Sequence, residues 1–192
     1  MDSSETTPRR KDAQRNREAI LCAAKELFAT SADVPMYEIA RAAGVGQGTL
    51  YRHFADRRSI AIALFDEELN GLEELATELS DAPDAVFALM RRVAELQVHF
   101  QALVEALDHP AKEPHSVRLL EIFAEPFQRA KAAGSLRSDV TLDDVFLVVK
   151  MVDGALRHDP DRADHAATAA RALGIAIDGL RRYRYRSRTE TG

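Results

Sequence analysis

The side chains best suited to specific recognition chemistry lie close together in the segment 36–55, MYEIARAAGVGQGTLYRHFA. Gln and Thr can hydrogen-bond to base-pair edges, whereas Arg, His and Tyr can hold phosphate oxygens. The positions expected to face outward are Gln47, Gly48, Thr49, Tyr51, Arg52 and His53. The segment therefore predicts contact with a DNA major groove and with the phosphates on its walls.

The small and apolar residues of this segment predict a helix-turn-helix. Two helices that cross steeply over a short turn need a small residue where they touch, here Ala40, and a residue that tolerates positive φ, here Gly44. The apolar positions expected to bury the unit against a preceding helix are Ile39, Val45, Leu50 and Phe54.

Residues 15–65, especially IARAAGVGQGTLYRHFADR, closely resemble the N-terminal DNA-binding domain of the TetR family of bacterial transcriptional regulators. The resemblance implies base contacts and phosphate contacts. The residues that match these family positions are Gln47 and Thr49 for bases, and Tyr51, His53 and Arg57 for phosphates, with Arg52 nearby. Tyr37 is a further candidate, because it stands where the family often places a Thr or Ser that contacts DNA.

The same resemblance implies an all-α homodimer in which three N-terminal helices bind DNA and a C-terminal domain encloses a small-molecule pocket. Its last two long helices, about 142–158 and 161–183, would form the dimer interface. The segment RAKAAGSLRSDVTLDD is similar to one branch of the family. We therefore expect operator DNA and an unknown small-molecule effector as partners, no cofactor, and a ligand-responsive repressor bound to a palindromic operator.

Composition independently favours helices. The chain has 192 residues, 46% apolar and 30% charged, with 9 Gly, 7 Pro and no Trp, which excludes collagen-like, low-complexity and wholly disordered proteins. Apolar residues recur at helical spacing between the Pro and Gly residues. The prediction is an all-α fold of about nine helices, with a loop at Pro110 and Pro114 followed by either two short helices or one helix broken at Pro126.

The expected domain organisation has four parts. These are a disordered basic arm at 1–12, the helix-turn-helix domain at 13–58, a helical effector-binding and dimerisation domain at 59–183, and an Arg-rich disordered tail at 184–192.

The net charge of −5 hides an uneven distribution. Residues 1–58 carry 10 Lys/Arg and 8 Asp/Glu, residues 59–180 carry 11 and 22, and residues 181–192 carry 5 and 1. The acidic middle repels polyanions, so contact with nucleic acid is expected only through the ends of the chain.

A ligand pocket is expected to have apolar walls with a few polar groups. The candidate lining residues are Phe87, Met90, Gln97, His99, Phe123, Phe127 and Met151. Ordinary core packing explains the same residues equally well.

Two other hypotheses remain open. His158 and His165, with neighbouring Asp159, Asp161 and Asp164, could belong to a helical metal-binding sensor or enzyme that uses the N-terminal motif only as an interaction module. Acidic residues are also common at a helix start, and neither a nucleophile–base pair nor an HExxH motif supports catalysis, so an enzyme is not expected. A DNA-binding protein without a ligand is the third hypothesis.

The single cysteine, Cys22, excludes an internal disulfide and is expected to be packed rather than reactive. No apolar run approaches the roughly 20 residues that cross a bilayer, and the N-terminus lacks the apolar core of a secretory signal. The expected location is the cytoplasm.

Overall fold

The computed structural model describes residues 6–29, 31, 33–106, 109–158 and 164–182, with side chains from residue 10 except at 100–114. Within these residues it contains eight α-helices and no strand, which confirms the all-α prediction. The helices are α1 Thr6–Phe28, α2 Met36–Ala42, α3 Gln47–His53, α4 Arg57–Glu78, α5 Ala85–Ala106, α6 His109–Ala132, α7 Leu142–Arg157 and α8 His165–Leu180. Asp159, Asp161 and the predicted Arg-rich tail lie outside the described residues.

The chain divides into two compact units. One comprises Met1–Gly71 and His99–Arg118, and the other comprises Leu72–Val98 and Leu119–Gly192. The first unit contains α1, α2 and α3, and the second contains α7 and α8.

Helix α1 is longer than predicted. It begins at Thr6, so residues 6–12, predicted as part of a disordered arm, are helical where the structure describes them. Local side-chain pairs support the polar turns, because Arg15 donates to Asp12 at 2.8 Å and Gln14 donates to Glu18 at 2.8 Å. A helix anchored by its apolar half can thus continue outward through polar residues, which apolar periodicity does not detect.

The core of the first unit forms where α1, α2 and α3 contact one another. The buried side chains of this core include Ile20, Leu21, Ala24, Phe28, Ile39, Leu50 and Phe54. Cys22 is exposed, contrary to expectation. On a helical wheel it lies about 100° beyond Leu21, away from the stripe that contains Ala24 and Phe28.

Helix α4 begins as predicted. The Asp56 carboxylate accepts a hydrogen bond from the Ser59 backbone at 2.7 Å, and the Asp56 backbone donates to the Ser59 hydroxyl at 3.2 Å. These bonds satisfy backbone donors that have no partner within the first turn of the helix.

Helix α6 is continuous across its three prolines, contrary to the prediction. The helix runs from His109 to Ala132 through Pro110, Pro114 and Pro126, so the predicted loop and break are wrong. The eight helices of the described residues are close to the predicted number of about nine. Pro110 lies in the first turn, where an N–H group has no intrahelical acceptor. Pro126 is buried, as are Phe123 and Phe127 of the same helix. Burial of apolar surface favours this part of α6 even though Pro126 cannot donate a backbone hydrogen bond.

In the second unit, α7 and α8 pack against each other. Thr141 and Asp144 form a capping box at the start of α7, a pattern that the spacing of the two residues in the sequence already indicates. Helix α8 ends at Leu180, earlier than the predicted Tyr183. There the chain turns to bond with the loop after α6, since Arg137 donates its backbone N–H to Leu180 at 3.0 Å and Arg182 donates to Ser135 at 3.1 Å.

Candidate nucleic-acid interface

The turn between α2 and α3 depends on one glycine. Gly44 has a φ of +67°, a left-handed conformation that other residues rarely adopt. The Val45 N–H then donates to the Ala40 carbonyl at 3.0 Å and the Gly44 N–H donates to Arg41 at 3.2 Å, which closes α2. Ala40 is buried at this crossing, as predicted.

The inner face of the motif fixes which side of α3 faces outward. Ile39, Leu50 and Phe54 are buried as predicted, whereas Val45 is only half-buried. Val45 follows directly after the turn, where the chain lies at the surface of the unit, so it covers the edge of the core.

The outer face of α3 presents the predicted polar group. Gln47, Gly48, Tyr51 and Arg52 are exposed, while Thr49 and His53 are half-buried. Gly46 precedes the helix with a φ of −70° and provides no side-chain cap.

Arg52 is held against its own helix. Its Nε donates to the Gly48 carbonyl at 3.0 Å and its Nη2 donates to the Thr49 hydroxyl at 3.2 Å. The guanidinium therefore fixes the orientation of the Thr49 side chain, which still has lone pairs and a proton for a further partner.

Arg57, on the first turn of α4, forms an ion pair with Asp33 in the loop before α2, with 3.2 Å between Nη1 and Oδ1. Tyr37 is 53% exposed, and its hydroxyl donates to the Glu38 carboxylate at 3.1 Å. This hydrogen bond raises the pKa of the Tyr37 phenol above its ordinary value.

No sequence pattern indicates a role for Arg17. Its guanidinium carbon lies 4.7 Å from the centroid of the Phe54 ring, directly after α3. The two residues are 37 positions apart, so only the packing of α1 on α3 brings them together.

The predicted pocket residues do not form one buried group. Phe87, Met90, Phe123 and Phe127 are buried in the second unit. His99 is exposed and belongs to the first unit, and Met151 is 59% exposed on α7, so neither belongs to this buried group, and their place in a ligand pocket stays a prediction. Both lie on helices with broad apolar surfaces, where periodicity does not distinguish an inner from an outer face.

Gln97 has an unusual environment. Its side-chain nitrogen donates to the Val149 carbonyl of α7 at 2.9 Å, which fixes the orientation of the amide because a carbonyl can only accept. Its Oε1 is buried and has no hydrogen-bond partner among the described residues.

The described residues contain no group of three or more His, Cys, Asp or Glu side chains arranged to hold a metal ion. His158 is exposed, with Nδ1 2.8 Å from the Gly154 carbonyl, and His165 is buried. Within the same residues no helix is long and apolar enough to cross a membrane.

Family models match both parts of the chain. One described as "Bacterial regulatory proteins, tetR family" matches residues 20–64. One described as "Transcriptional regulator SbtR-like, C-terminal domain" matches residues 81–182, more than half of the chain. The chain belongs to the TetR family of bacterial transcriptional regulators.

Solved TetR structures are similar over nearly the whole chain. A TetR regulator from Mycobacterium vanbaalenii is 30% identical, with a TM-score of 0.68 over 91% of this chain and 100% of that one. A TetR regulator from Streptomyces coelicolor is 29% identical, with a TM-score of 0.67 over 86% and 98%.

A curated relative, an HTH-type transcriptional regulator of Staphylococcus aureus, is 29% identical over 102 residues, 52% of this chain and 55% of that protein. The chain spans about half the length of the curated relatives it matches. TetR membership identifies a transcriptional regulator and favours that class over the helical enzyme or metal sensor.

Proposed function

We propose that this TetR-family chain is a ligand-responsive repressor that binds a palindromic operator as a homodimer and is released by a small-molecule effector. The observation that carries the proposal is the two-sided character of α3. Leu50 and the adjoining Phe54 are buried on one side, while Gln47, Tyr51 and Arg52 are exposed on the other. A short helix held in this way suits insertion into a major groove.

Each polar residue has a proposed role. Gln47 and Thr49 contact base edges, and Gly48 lets the backbone approach the DNA closely. The residues proposed to contact phosphates are Tyr51, Arg52, His53 and Arg57, with Tyr37 of α2 at the edge of the surface. Residues 13–58 thus read DNA, and residues 59–183 bind the effector and dimerise.

An apolar surface on α7 and α8 supports the proposed homodimer. Leu147, Met151 and Ile175 are 54%, 59% and 62% exposed. Leu147 and Met151 are four residues apart and lie on one face of α7. Large exposed apolar side chains at neighbouring positions are typical of an interaction surface, and a second copy of the same surface would cover them.

Two symmetry-related recognition helices explain the proposed palindrome. They must enter successive major grooves about 34–36 Å apart, so the dimer fixes the spacing of the half-sites. An effector that binds better to a state with a different spacing lowers operator affinity by shifting the population.

Selection of bound duplexes from a random DNA pool tests the proposed DNA target. We expect an inverted repeat whose half-site centres lie about one helical turn apart. Enriched sequences without inverted symmetry would contradict the palindromic dimer. If no sequence is enriched at any salt concentration tested, sequence-specific binding is contradicted.

Ligand response needs a separate measurement. We expect at least one compound in a metabolite panel to raise the melting temperature and to release the protein from the selected duplex. A compound that raises the melting temperature without changing DNA affinity would contradict its role as an effector.

A further inference from the structure

Helix α1 extends beyond the part of the chain that the TetR N-terminal family model covers. The match begins at residue 20, whereas α1 begins at Thr6. The additional 14 residues correspond to about 21 Å of helix at 1.5 Å per residue. These 14 residues include the basic residues Arg9, Arg10, Lys11, Arg15 and Arg17, of which Arg17 packs against the core of the first unit.

The Arg17–Phe54 contact locates this extension relative to the recognition helix. Phe54 is the C-cap of α3, so α1 passes the C-terminal end of α3 at Arg17. The turns of α1 before Arg17 therefore continue past the end of α3 that carries Tyr51, Arg52 and His53, the proposed phosphate-contacting residues.

Arg10 lies on the side of α1 that faces α3. Residues seven positions apart are about 20° apart around a helix and about 10.5 Å apart along it, so Arg10 lies almost directly beyond Arg17. Arg10 is exposed, and among the described residues no carboxylate pairs with it. Lys11 is also exposed but lies about 100° further around the helix.

We propose that Arg10 is an additional DNA-backbone contact, which binds a phosphate beside the half-site read by α3. This inference rests on the proposed function. A guanidinium forms two parallel hydrogen bonds to phosphate oxygens and stays charged at any physiological pH. The contact adds affinity but no base recognition, because it reaches only the phosphodiester backbone.

The charge pattern of residues 9–58 fits a phosphate as the partner of Arg10. Residues 9–58 carry 10 Lys/Arg and 6 Asp/Glu, a modest excess for a surface that meets a polyanion. Within the part of the chain that the structure describes, Asp12 pairs with Arg15, so it does not compete with a phosphate for Arg10.

Salt-dependent titration of Arg10→Ala and Lys11→Ala tests the proposal. The two variants remove the same charge from neighbouring positions, and alanine preserves helix in both. Each phosphate contact contributes about 0.9 to the slope of log affinity against log salt, so losing one contact per protomer lowers the slope of a dimer by about 1.8. Between about 50 and about 200 mM salt, the affinity of the wild type should then fall about 12-fold more than that of Arg10→Ala.

We expect this change for Arg10→Ala on both the selected duplex and a scrambled duplex, with the sequence preference unchanged and Lys11→Ala close to the wild type. The proposed contact is overturned if the slope of log affinity against log salt is the same for the wild type and Arg10→Ala. It is also overturned if Arg10→Ala and Lys11→Ala lower this slope by the same amount. A changed base preference in Arg10→Ala would overturn its assignment to the backbone. If the wild type itself shows no preference for any duplex, the proposed function fails rather than this contact.

Discussion

Arg52 and Arg57 both have protein partners in the free chain, although both are proposed to meet DNA. Arg52 donates to Thr49 at 3.2 Å, and Arg57 pairs with Asp33 at 3.2 Å. Binding to phosphate would exchange these partners rather than engage unoccupied side chains. The Arg57 pair is exposed, so the exchange costs on the order of 1 kcal/mol or less.

Substitutions within the proposed interface should distinguish residues that recognise bases from residues that bind phosphates through their charge. We expect Gln47→Ala and Thr49→Ala to alter sequence preference by about 1–3 kcal/mol at the contacted base pair, because each removes a hydrogen-bonding group. Arg57→Ala should weaken binding to all duplexes and reduce the salt slope. Parallel titrations on the selected and scrambled duplexes measure both effects, and an identical response in all three variants would contradict the assigned roles.

Asp33→Asn should strengthen binding to all DNA. The change removes a carboxylate that competes with phosphate for Arg57 and that itself repels the polyanion. The expected gain is up to about fivefold per protomer, and up to about 30-fold for a dimer on its operator, since an exposed ion pair contributes about 0.2–1 kcal/mol. Glu26→Gln removes an exposed carboxylate from α1 and serves as the control. A gain no larger than that of Glu26→Gln would show that Asp33 does not restrain Arg57.

At the scale of elements, local chemistry made some boundaries predictable. The Thr141–Asp144 capping box and the Gly44 turn depend on residues within a few positions of each other, and both were identified from the sequence. The continuity of α6 could not be predicted in this way. The rule that proline interrupts a helix takes no account of the packing that buries Phe123, Pro126 and Phe127. The polar turns of α1 were missed for the corresponding reason, since apolar periodicity is absent there.

The capping box should make part of the stability depend on pH. Hydrogen bonds from the Thr141 backbone and hydroxyl lower the pKa of Asp144 in the folded state. This contribution is complete above the unfolded pKa of about 3.9 and is lost as pH falls through the lower folded pKa. Thr141→Ala should cost about 1 kcal/mol in the free energy of unfolding at neutral pH and less in acid.

Urea unfolding at about pH 7 and about pH 3 measures this difference. Asp143→Asn is the matched control, because Asp143 lies in the same first turn but outside the capping box. The account of the cap is wrong if Thr141→Ala and Asp143→Asn lose the same stability at both pH values.

At the scale of the whole molecule, the uneven charge supports a division of roles. The acidic middle of the chain coincides largely with the segment matched by the C-terminal family model, while the helix-turn-helix end carries a small basic excess and residues 181–192 carry another. This division can be predicted from the sequence. The exposure of Met151 and His99 cannot, because it depends on which helices pack beside them.

Met151→Lys should weaken the proposed dimer by placing a charge in the apolar surface on α7 and α8. We expect sedimentation to show monomers at concentrations where the wild type is dimeric, with helix content unchanged by circular dichroism. Val117→Lys changes a comparably exposed apolar residue on α6, at 52% exposure, and should remain dimeric. Dissociation of both variants, or of neither, would place the interface elsewhere.

Native mass spectrometry most directly tests whether a homodimer reads a palindromic operator with its two α3 helices. The wild type is measured on the selected duplex and on the same duplex with one half-site scrambled. We expect two protomers to bind the intact duplex as a unit, with no complex of one protomer. Affinity for the duplex with the scrambled half-site should be lower by at least about tenfold. One protomer per duplex, or equal affinity for both duplexes, would contradict a homodimer whose two α3 helices read a palindrome.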